Sequence, residues 1–533
     1  MTAPQSAHGR LALTVCCLAV LMVGLDSTAL NVALPVMRRE LDASIAGLQW
    51  VVDAYNLVVA ALMLLAGSVG DRTGRRRTLR AGVAAFVAGS ALCGLAPGLD
   101  TLIGSRVVQA LGGAVIAPVS LSVITHTFPD RAERSRAIGM WSGTFGIGLA
   151  VGPLVGGVLV AAEGWRSIFW INVPVGLAVL ALSARHLPES RTPAPRRTDP
   201  LGQFLVIALL GCLTYAVIDA PHRGWASPVV LGCLAVAAAS LTTLIPYEHR
   251  RRDPLIELGF FRSVPFTGSV VVSLAAFAAL GGFLFLSTLY LQDVRGLSAL
   301  SAGLWMLPMP VATVLLAPVA GRLVARHGPR LPLVLAGLAT VLSGLSFAVL
   351  HAGSSVALLL LAYGLFGAGV GLVDVPATGL AVAGMPRARA GVASAISTAS
   401  CRVGVSVGVA VMGAVLSAGL GRTPGTGDAA VFADATRPAW WIVTGCGAVV
   451  AILGVLVTGP RARGTAREAS AGEAPVEEPQ ATEAPAGPRG TRSRTAPGAP
   501  GGIPGNSLPK ASRRAGIETL HGVEENFLPP RDV

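Results

Sequence analysis

Gly67-Ser-Val-Gly-Asp71-Arg72-Thr-Gly74-Arg75-Arg76-Arg77 lies between two long apolar runs, residues 49–69 and 80–97. With Arg80 it places five arginines in one short loop. Positive charge in a short loop between membrane spans keeps that loop on the cytoplasmic side. One segment therefore says both that its neighbours cross a bilayer and in which sense they cross it.

The rest of the chain agrees with that beginning. It has 533 residues, of which 53% are hydrophobic and 13% charged, with a mean hydropathy of +0.65. A soluble domain carries about 25% charged residues. The apolar residues come in blocks of about 20, the length that crosses roughly 30 Å of hydrocarbon. A membrane β-barrel would instead alternate polar and apolar residues in segments of about ten. The expected class is an all-α polytopic membrane protein. Runs at 11–35, 49–69, 80–97, 102–126, 138–160, 168–185, 201–220, 227–246, 265–290, 300–321, 332–350, 355–383, 391–418 and 438–458 give 14 spans. The first is too long for the core of a signal peptide and lacks a small-residue cleavage site, so it reads as a span.

Counting from a cytoplasmic N-terminus (1–10), the inner loops hold 21 arginines and the outer loops 7. The inner set comprises the first loop, then Arg131, Arg134, Arg136, Arg185, Arg191, Arg196, Arg197, Arg250, Arg251, Arg252, Arg262, Arg322, Arg326, Arg330, Arg387 and Arg389. This bias predicts that both termini are cytoplasmic. The net charge of +13 is thus a topological signal and does not point to nucleic acid; with Lys510 the sole lysine, the choice of arginine reads as genomic base composition. All seven cysteines fall inside apolar spans with neither metal spacing nor a disulfide pattern. The eight histidines sit at span ends, in loops or in the tail, so none reads as a proton relay. No Walker loop is present, so ATP is not the direct energy source. A lipid-modifying membrane enzyme would need His, Asp or Glu clustered at one membrane face, and none is found.

Gly67–Arg76 and Gly321–Arg330 repeat each other at an offset of 254 residues, with Gly, Arg, Gly and Arg at matching positions and Ala325 where the first copy has Asp71. The offset fits six spans plus two. The organisation expected is a six-helix bundle at 11–185, two inserted helices at 201–246 and a second six-helix bundle at 265–458. Residues 459–533, rich in Pro, Gly, Ala, Arg and Glu, read as a disordered cytoplasmic tail whose stretch Ile517–Leu528 is slightly more apolar.

Charges within the spans mark candidate function, because each is costly in hydrocarbon. Asp26, Asp53 and Arg106 all fall in the outer half of the membrane, as judged by their distance from the loops. Gln49, Asp53 and Asn56 share a helical face at i, i+4, i+7, and Arg106 shares one with Gln109. Together with Asn31 they predict a polar patch on a central cavity. A carboxylate out of water holds its proton, and a nearby guanidinium loosens it. Asp26 and Asp53 with Arg106 are therefore the candidate proton-coupling set. The alternative is a fixed Asp26–Arg106 pair that only locks two helices. Asp26→Asn is expected to fold and to lose transport. Asp374 and Arg402 each lie 12 residues from the loop Pro386–Ala390 and form a second candidate pair, for the substrate cavity.

Five motifs follow one another in order: Leu25-Asp26-Ser-Thr28-Ala-Leu-Asn31-Val-Ala-Leu-Pro35; Gln49-Trp50-Val-Val-Asp53-Ala-Tyr55-Asn56-Leu57; Arg106-Val-Val-Gln109-Ala-Leu-Gly112; Gly148-x-x-x-Gly152-Pro153-x-x-Gly156-Gly157; and Trp165-Arg166-Ser-Ile-Phe-Trp-Ile-Asn172-Val-Pro174. With the opening loop, they make residues 11–458 resemble the fourteen-helix drug:proton antiporter branch of the major facilitator superfamily. The resemblance implies a major facilitator fold in the cytoplasmic membrane that is sufficient as a monomer. It implies export of small lipophilic drugs or antibiotics in exchange for protons, without a cofactor and with no enzymatic reaction. It makes Gly67, Asp71, Arg72, Gly74, Arg75 and Arg76 a cytoplasmic gate between the halves. It makes Gly148, Gly152, Pro153, Gly156 and Gly157 the antiporter motif, where Pro153 bends the helix and the glycines permit close packing. Other cargo (an amino acid, a peptide or a lipid-like metabolite) and a transport-dead sensor stay open as alternatives.

Overall fold

A computed structural model of the chain describes residues 7–187, 189–190, 199–251, 254–349, 354–383, 385, 390–421 and 429–459. The tail beyond Gly459, with Ile517–Leu528, lies outside the described residues, as do Arg191, Arg196, Arg197, Arg252, Arg387, Arg389 and Arg422.

Every regular element among the described residues is helical: α1 (Ala7–Glu40), α2 (Ile45–Thr73), α3 (Arg75–Leu95), α4 (Leu99–Thr127), α5 (Arg131–Glu163), α6 (Ser167–Trp170), α7 (Asn172–His186), α8 (Pro200–Arg223), α9 (Pro228–His249), α10 (Val264–Leu289), α11 (Ala299–Trp305), α12 (Pro308–His327), α13 (Arg330–Val349), α14 (Val356–Val382), α15 (Ala390–Gly421) and α16 (Ala429–Leu456). They make 14 spans, because α6 with α7 and α11 with α12 each form one, and α10 continues through a π turn at Tyr290–Val294. In hydrocarbon the backbone must satisfy its own hydrogen bonds, which is why each apolar run closes into a helix. Side chains cap the exposed ends: Ser44 accepts from Gly47 N, and Asp130 accepts from the amides of Ala132 and Glu133. The repeated loops share one backbone device. Gly74 ends α2 with φ of 108° and Gly328 ends α12 with φ of 75°, values that only glycine adopts cheaply. α5 runs unbroken through Pro153.

The helices form two bundles. In the first, α1 packs on α5, α4 packs on α3 and α2, and α3 packs on α7; in the second, α10 packs on α15, α14 packs on α13 and α12, and α13 packs on α16. Small residues set the spacing, as membrane helices require when lipid and side chain are equally apolar. A Cβ added at Gly112 would meet the backbone of Gly82 and Phe86 on α3, and one at Gly447 would stand 2.9 Å from Gly337 O. The inserted pair α8–α9 lies along a seam between the bundles, with α8 against both α2 and α15. Gln203 of α8 donates to Ala61 O of α2 at 2.6 Å, and Tyr215 sits 5.9 Å from the Trp50 ring.

At the end of the bundles remote from the start of α1, one apolar core joins both halves: Val32, Leu34, Val51 and Trp165 from the first meet Phe283, Leu286, Tyr290 and Trp440 from the second. At the terminal end the cores separate, one holding Val15, Val119 and Ile124 and another Val272, Leu333 and Leu380. The halves are closed at one end and parted at the other.

Close packing and open space make opposite predictions for the same substitution. Gly112→Ala forces a methyl into α3 and is expected to cost about 1–3 kcal/mol. Gly143→Ala on α5 meets nothing within 4 Å and should be neutral or stabilising by up to about 1 kcal/mol. Thermal unfolding of the two purified variants checks this.

Candidate functional site

Asp26 and Arg106 meet in the middle of the first bundle. Arg106 Nη1 donates to Asp26 Oδ2 at 2.8 Å, with both residues 1% exposed. Asp26 Oδ1 accepts from Gln109 Nε2 at 2.8 Å and from Asn172 Nδ2 at 2.9 Å. Gln109 also donates to Ser90 Oγ at 2.7 Å and accepts from Arg106 at 2.5 Å, and Arg106 Nε donates to Val51 O at 3.2 Å. The guanidinium lies 4.5 Å from the Tyr55 ring centre and 5.8 Å from that of Phe169. One charge pair thus engages α1, α2, α3, α4, α6 and α7. Both Asp26 oxygens are hydrogen-bonded, and the charges cancel inside a single bundle.

Asp53 is placed differently. It is fully buried on the face of α2 that meets α15, with the Ser406 hydroxyl of α15 beside it but outside hydrogen-bonding geometry, and no other donor reaches its oxygens among the described residues. One turn away Gln49 Nε2 donates across the same seam to Val409 O at 3.0 Å and Ala410 O at 2.7 Å, its amide lying over Gly413. Two further polar ties cross at this closed end: Gln292 Nε2 to Val32 O at 2.8 Å and Arg38 to Asp293 at 3.1 Å.

The glycine motif of α5 has two faces. Gly148, Gly152 and Gly156 lie against Gly24, Thr28 and Ala29 of α1, where Thr28 also donates to Leu149 O at 3.0 Å. Gly157 faces the other bundle: a Cβ there would stand 2.8 Å from Ala299 O, and one at Gly303 would stand 2.5 Å from Pro153 O. The motif therefore serves both the fold of one bundle and its closure on the other.

Several expected cavity residues are sealed instead. Gln49 is in the seam, and Gln109 is in the Asp26 network. Asn31 and Asn56 are buried and hydrogen-bond to their own helices, at Ser27 O and Val52 O. The reason is that the bundles touch at this depth and leave no cavity wall for them to line. Asp374 and Arg402 do not form the expected pair. The Arg402 guanidinium lies 5.5 Å from the Phe145 ring centre on α5, while Asp374 is exposed.

Several contacts of the loop quoted at the outset lie within the first bundle. Asp71 and Arg75 pair at 3.1 Å; Arg75 N donates to Ser190 O at 3.0 Å, and Arg76 donates to Glu189 through its amide at 3.1 Å and to Ala184 O at 2.7 Å. Arg72 is exposed, and a Cβ on Gly67 would meet nothing.

Ser90, Asn172, Ser406 and Phe145 are the functional neighbours that sequence reasoning did not single out. Asn172 lies in a quoted motif. The others are one serine or one aromatic among many, and only the fold brings them to the charges.

Comparison with known proteins gives a consistent picture. Residues 16–409 match the profile of the Major Facilitator Superfamily. The chain is 39% identical over 406 residues to the multidrug resistance protein Stp of Mycobacterium tuberculosis, covering 76% of this chain and 75% of that one. It is 39% identical over 404 residues to the tetracenomycin C resistance and export protein of Streptomyces glaucescens, covering 75% of each. The multidrug efflux pump LfrA of Mycolicibacterium smegmatis is 35% identical over 76% of this chain and 81% of that one. Among solved structures, a bacterial homologue of the human lysosomal transporter Spinster shares the fold at a TM-score of 0.60 and 18% identity, covering 87% of this chain and 98% of that one.

The closed network revises the expectation that Asp26→Asn folds normally. Neutralising either partner leaves the other charge buried and alone, at a cost of about 3–5 kcal/mol. Asp26→Asn and Arg106→Gln should each lower the unfolding temperature, and the double variant should recover part of the loss. Additive losses in thermal unfolding would count against a coupled pair.

Proposed function

The chain belongs to the Major Facilitator Superfamily, a family of transporters and not of enzymes, and on that footing we propose that it exports small lipophilic drugs or antibiotics in exchange for protons. The chain works in the cytoplasmic membrane with both termini inside, as a monomer and with the proton gradient as its energy source. The closed end then faces out, and the parted end opens to the cytoplasm. The names of the relatives, which include multidrug efflux pumps and an antibiotic exporter, support the cargo.

The observation that carries proton coupling is Asp53, an unpaired carboxylate sealed where the two bundles meet. An ionised carboxylate without a donor costs several kcal/mol in such a place. The neutral acid costs far less. Closure of the outer end therefore favours a proton on Asp53, and ionisation favours reopening. In the outward-open form, Asp53 meets external water and loads. Closure follows, and the cavity opens to the cytoplasm. Drug binding from the cytoplasm is linked to transfer of that proton through the parted end to cytoplasmic water while the outer seam is still closed, and the ionised acid then drives the outer seam apart with the drug bound. Mutual exclusion of proton and drug couples the two fluxes. Rocking of two bundles about a midplane site supplies the alternating access.

The satisfied hydrogen bonds of Asp26 favour a different duty for it: with Arg106 it holds the first bundle as one body. Asp71 and its arginines act as the cytoplasmic gate in the opposite state, when the inner ends close. In inverted vesicles with an established proton gradient, a transported antibiotic should release protons through the wild type and through Asp53→Glu. Asp53→Asn should release none while still binding the compound. Drug-driven proton release at wild-type rates by Asp53→Asn would sink the coupling role of this residue.

A further inference from the structure

Resting on the export reading above, we propose that Arg402 anchors an anionic group of the transported compound, so that the cargo includes planar aromatic molecules bearing a carboxylate or a phenolate. Arg402 stands mid-helix on α15, in line with the exposed Thr398 and the half-buried Val405 at i−4 and i+3, on the side turned to the parted halves. Its guanidinium spans the gap to Phe145 of the other bundle, 5.5 Å from the ring centre, although α5 takes its main contacts from α1, α11 and α12. No ion pair or hydrogen bond to Arg402 is present among the described residues.

A half-buried cation at membrane depth with no counter-charge is costly and is kept for a task. The other charges near this depth are accounted for. Asp26 and Arg106 neutralise each other, and Asp53 is sealed in the seam. Asp374 of α14 is exposed and, among the described residues, makes no ion pair with Arg402. The Arg402 guanidinium therefore carries a charge with no ion-pair partner among the described residues.

The geometry also selects the shape of the partner. The Phe145 ring centre lies 5.5 Å from the guanidinium carbon. The guanidinium N–H donors have no partner among the described residues and form the planar fork that matches two oxygens of a carboxylate or of a phenolate beside a carbonyl. An aromatic body attached to that group continues along the apolar surface around Phe145. A lipophilic cation finds no such complement at this residue.

Binding to the full chain in lipid nanodiscs tests this with three fluorescent probes of one shape: anthracene-9-carboxylate, its amide, and 9-(aminomethyl)anthracene. The wild type should bind the acid about tenfold or more tightly than the amide, as charge-assisted hydrogen bonds imply, and the amine most weakly. Arg402→Gln should bring acid and amide to equal affinity, and Arg402→Lys should keep part of the preference. Thermal unfolding reports the fold of each variant. An amide or amine that binds the wild type as tightly as the acid overturns the assignment, as does an unchanged acid preference in folded Arg402→Gln. Drug-driven proton release in vesicles is read separately. Intact release without an acid preference overturns the role of Arg402 and leaves export standing.

Discussion

The buried Asp26–Arg106 pair is the constraint on which the rest of the molecule depends. Two charges in hydrocarbon are tolerable only if every donor and acceptor near them is used. Gln109, Asn172, Ser90 and the carbonyl of Val51 meet that demand from separate helices. The demand fixes the positions of α1, α2, α3, α4 and α7 relative to one another. A bundle pinned in this way moves as a unit, so changes of state fall on the surfaces between bundles.

Those surfaces are built to come apart. Gln49 and Gln292 donate to backbone carbonyls, and Gly157 and Gly303 bring backbones close. Beyond these amide hydrogen bonds and the Arg38–Asp293 pair, the contacts have shape and little polarity, so separating them leaves few groups unsatisfied. Asp53 sits among them as a carboxylate that, in the proposed mechanism, makes the dry surface tolerable only when it is neutral. The two acids of the first bundle thus take opposite parts, one satisfied within it and one exposed to the choice at its border.

Much of this was legible in the chain. Spans and their number follow from apolar length, and the fold follows from motifs in register. Residue depth, counted from the loops, brought Asp26 and Arg106 to one level. Depth alone could not say which way a side chain turns. Asp374 and Arg402 share a level and still stand apart, because the long arginine reaches across to α5. Gln49 and Asn56 share a helical face with Asp53, as read, but that face is covered by α15 rather than by a cavity. Ser90 and Ser406 carry no sequence signal, since a serine in an apolar helix is ordinary until its neighbour is known. The tail beyond Gly459 and the loop arginines outside the described residues leave part of the topological argument where the sequence put it.

The inserted pair α8–α9 has a bearing on the surrounding lipid. It clads one of the two seams between the bundles, the one formed by α2 and α15, and leaves the other, formed by α5 with α11 and α12, without such cover. The protein therefore presents two unlike flanks to the bilayer. A hydrophobic solute diffusing among acyl chains meets a double wall from one direction and a single row of helices from the other, so lateral arrival from the membrane is directional in the plane of the sheet of lipid.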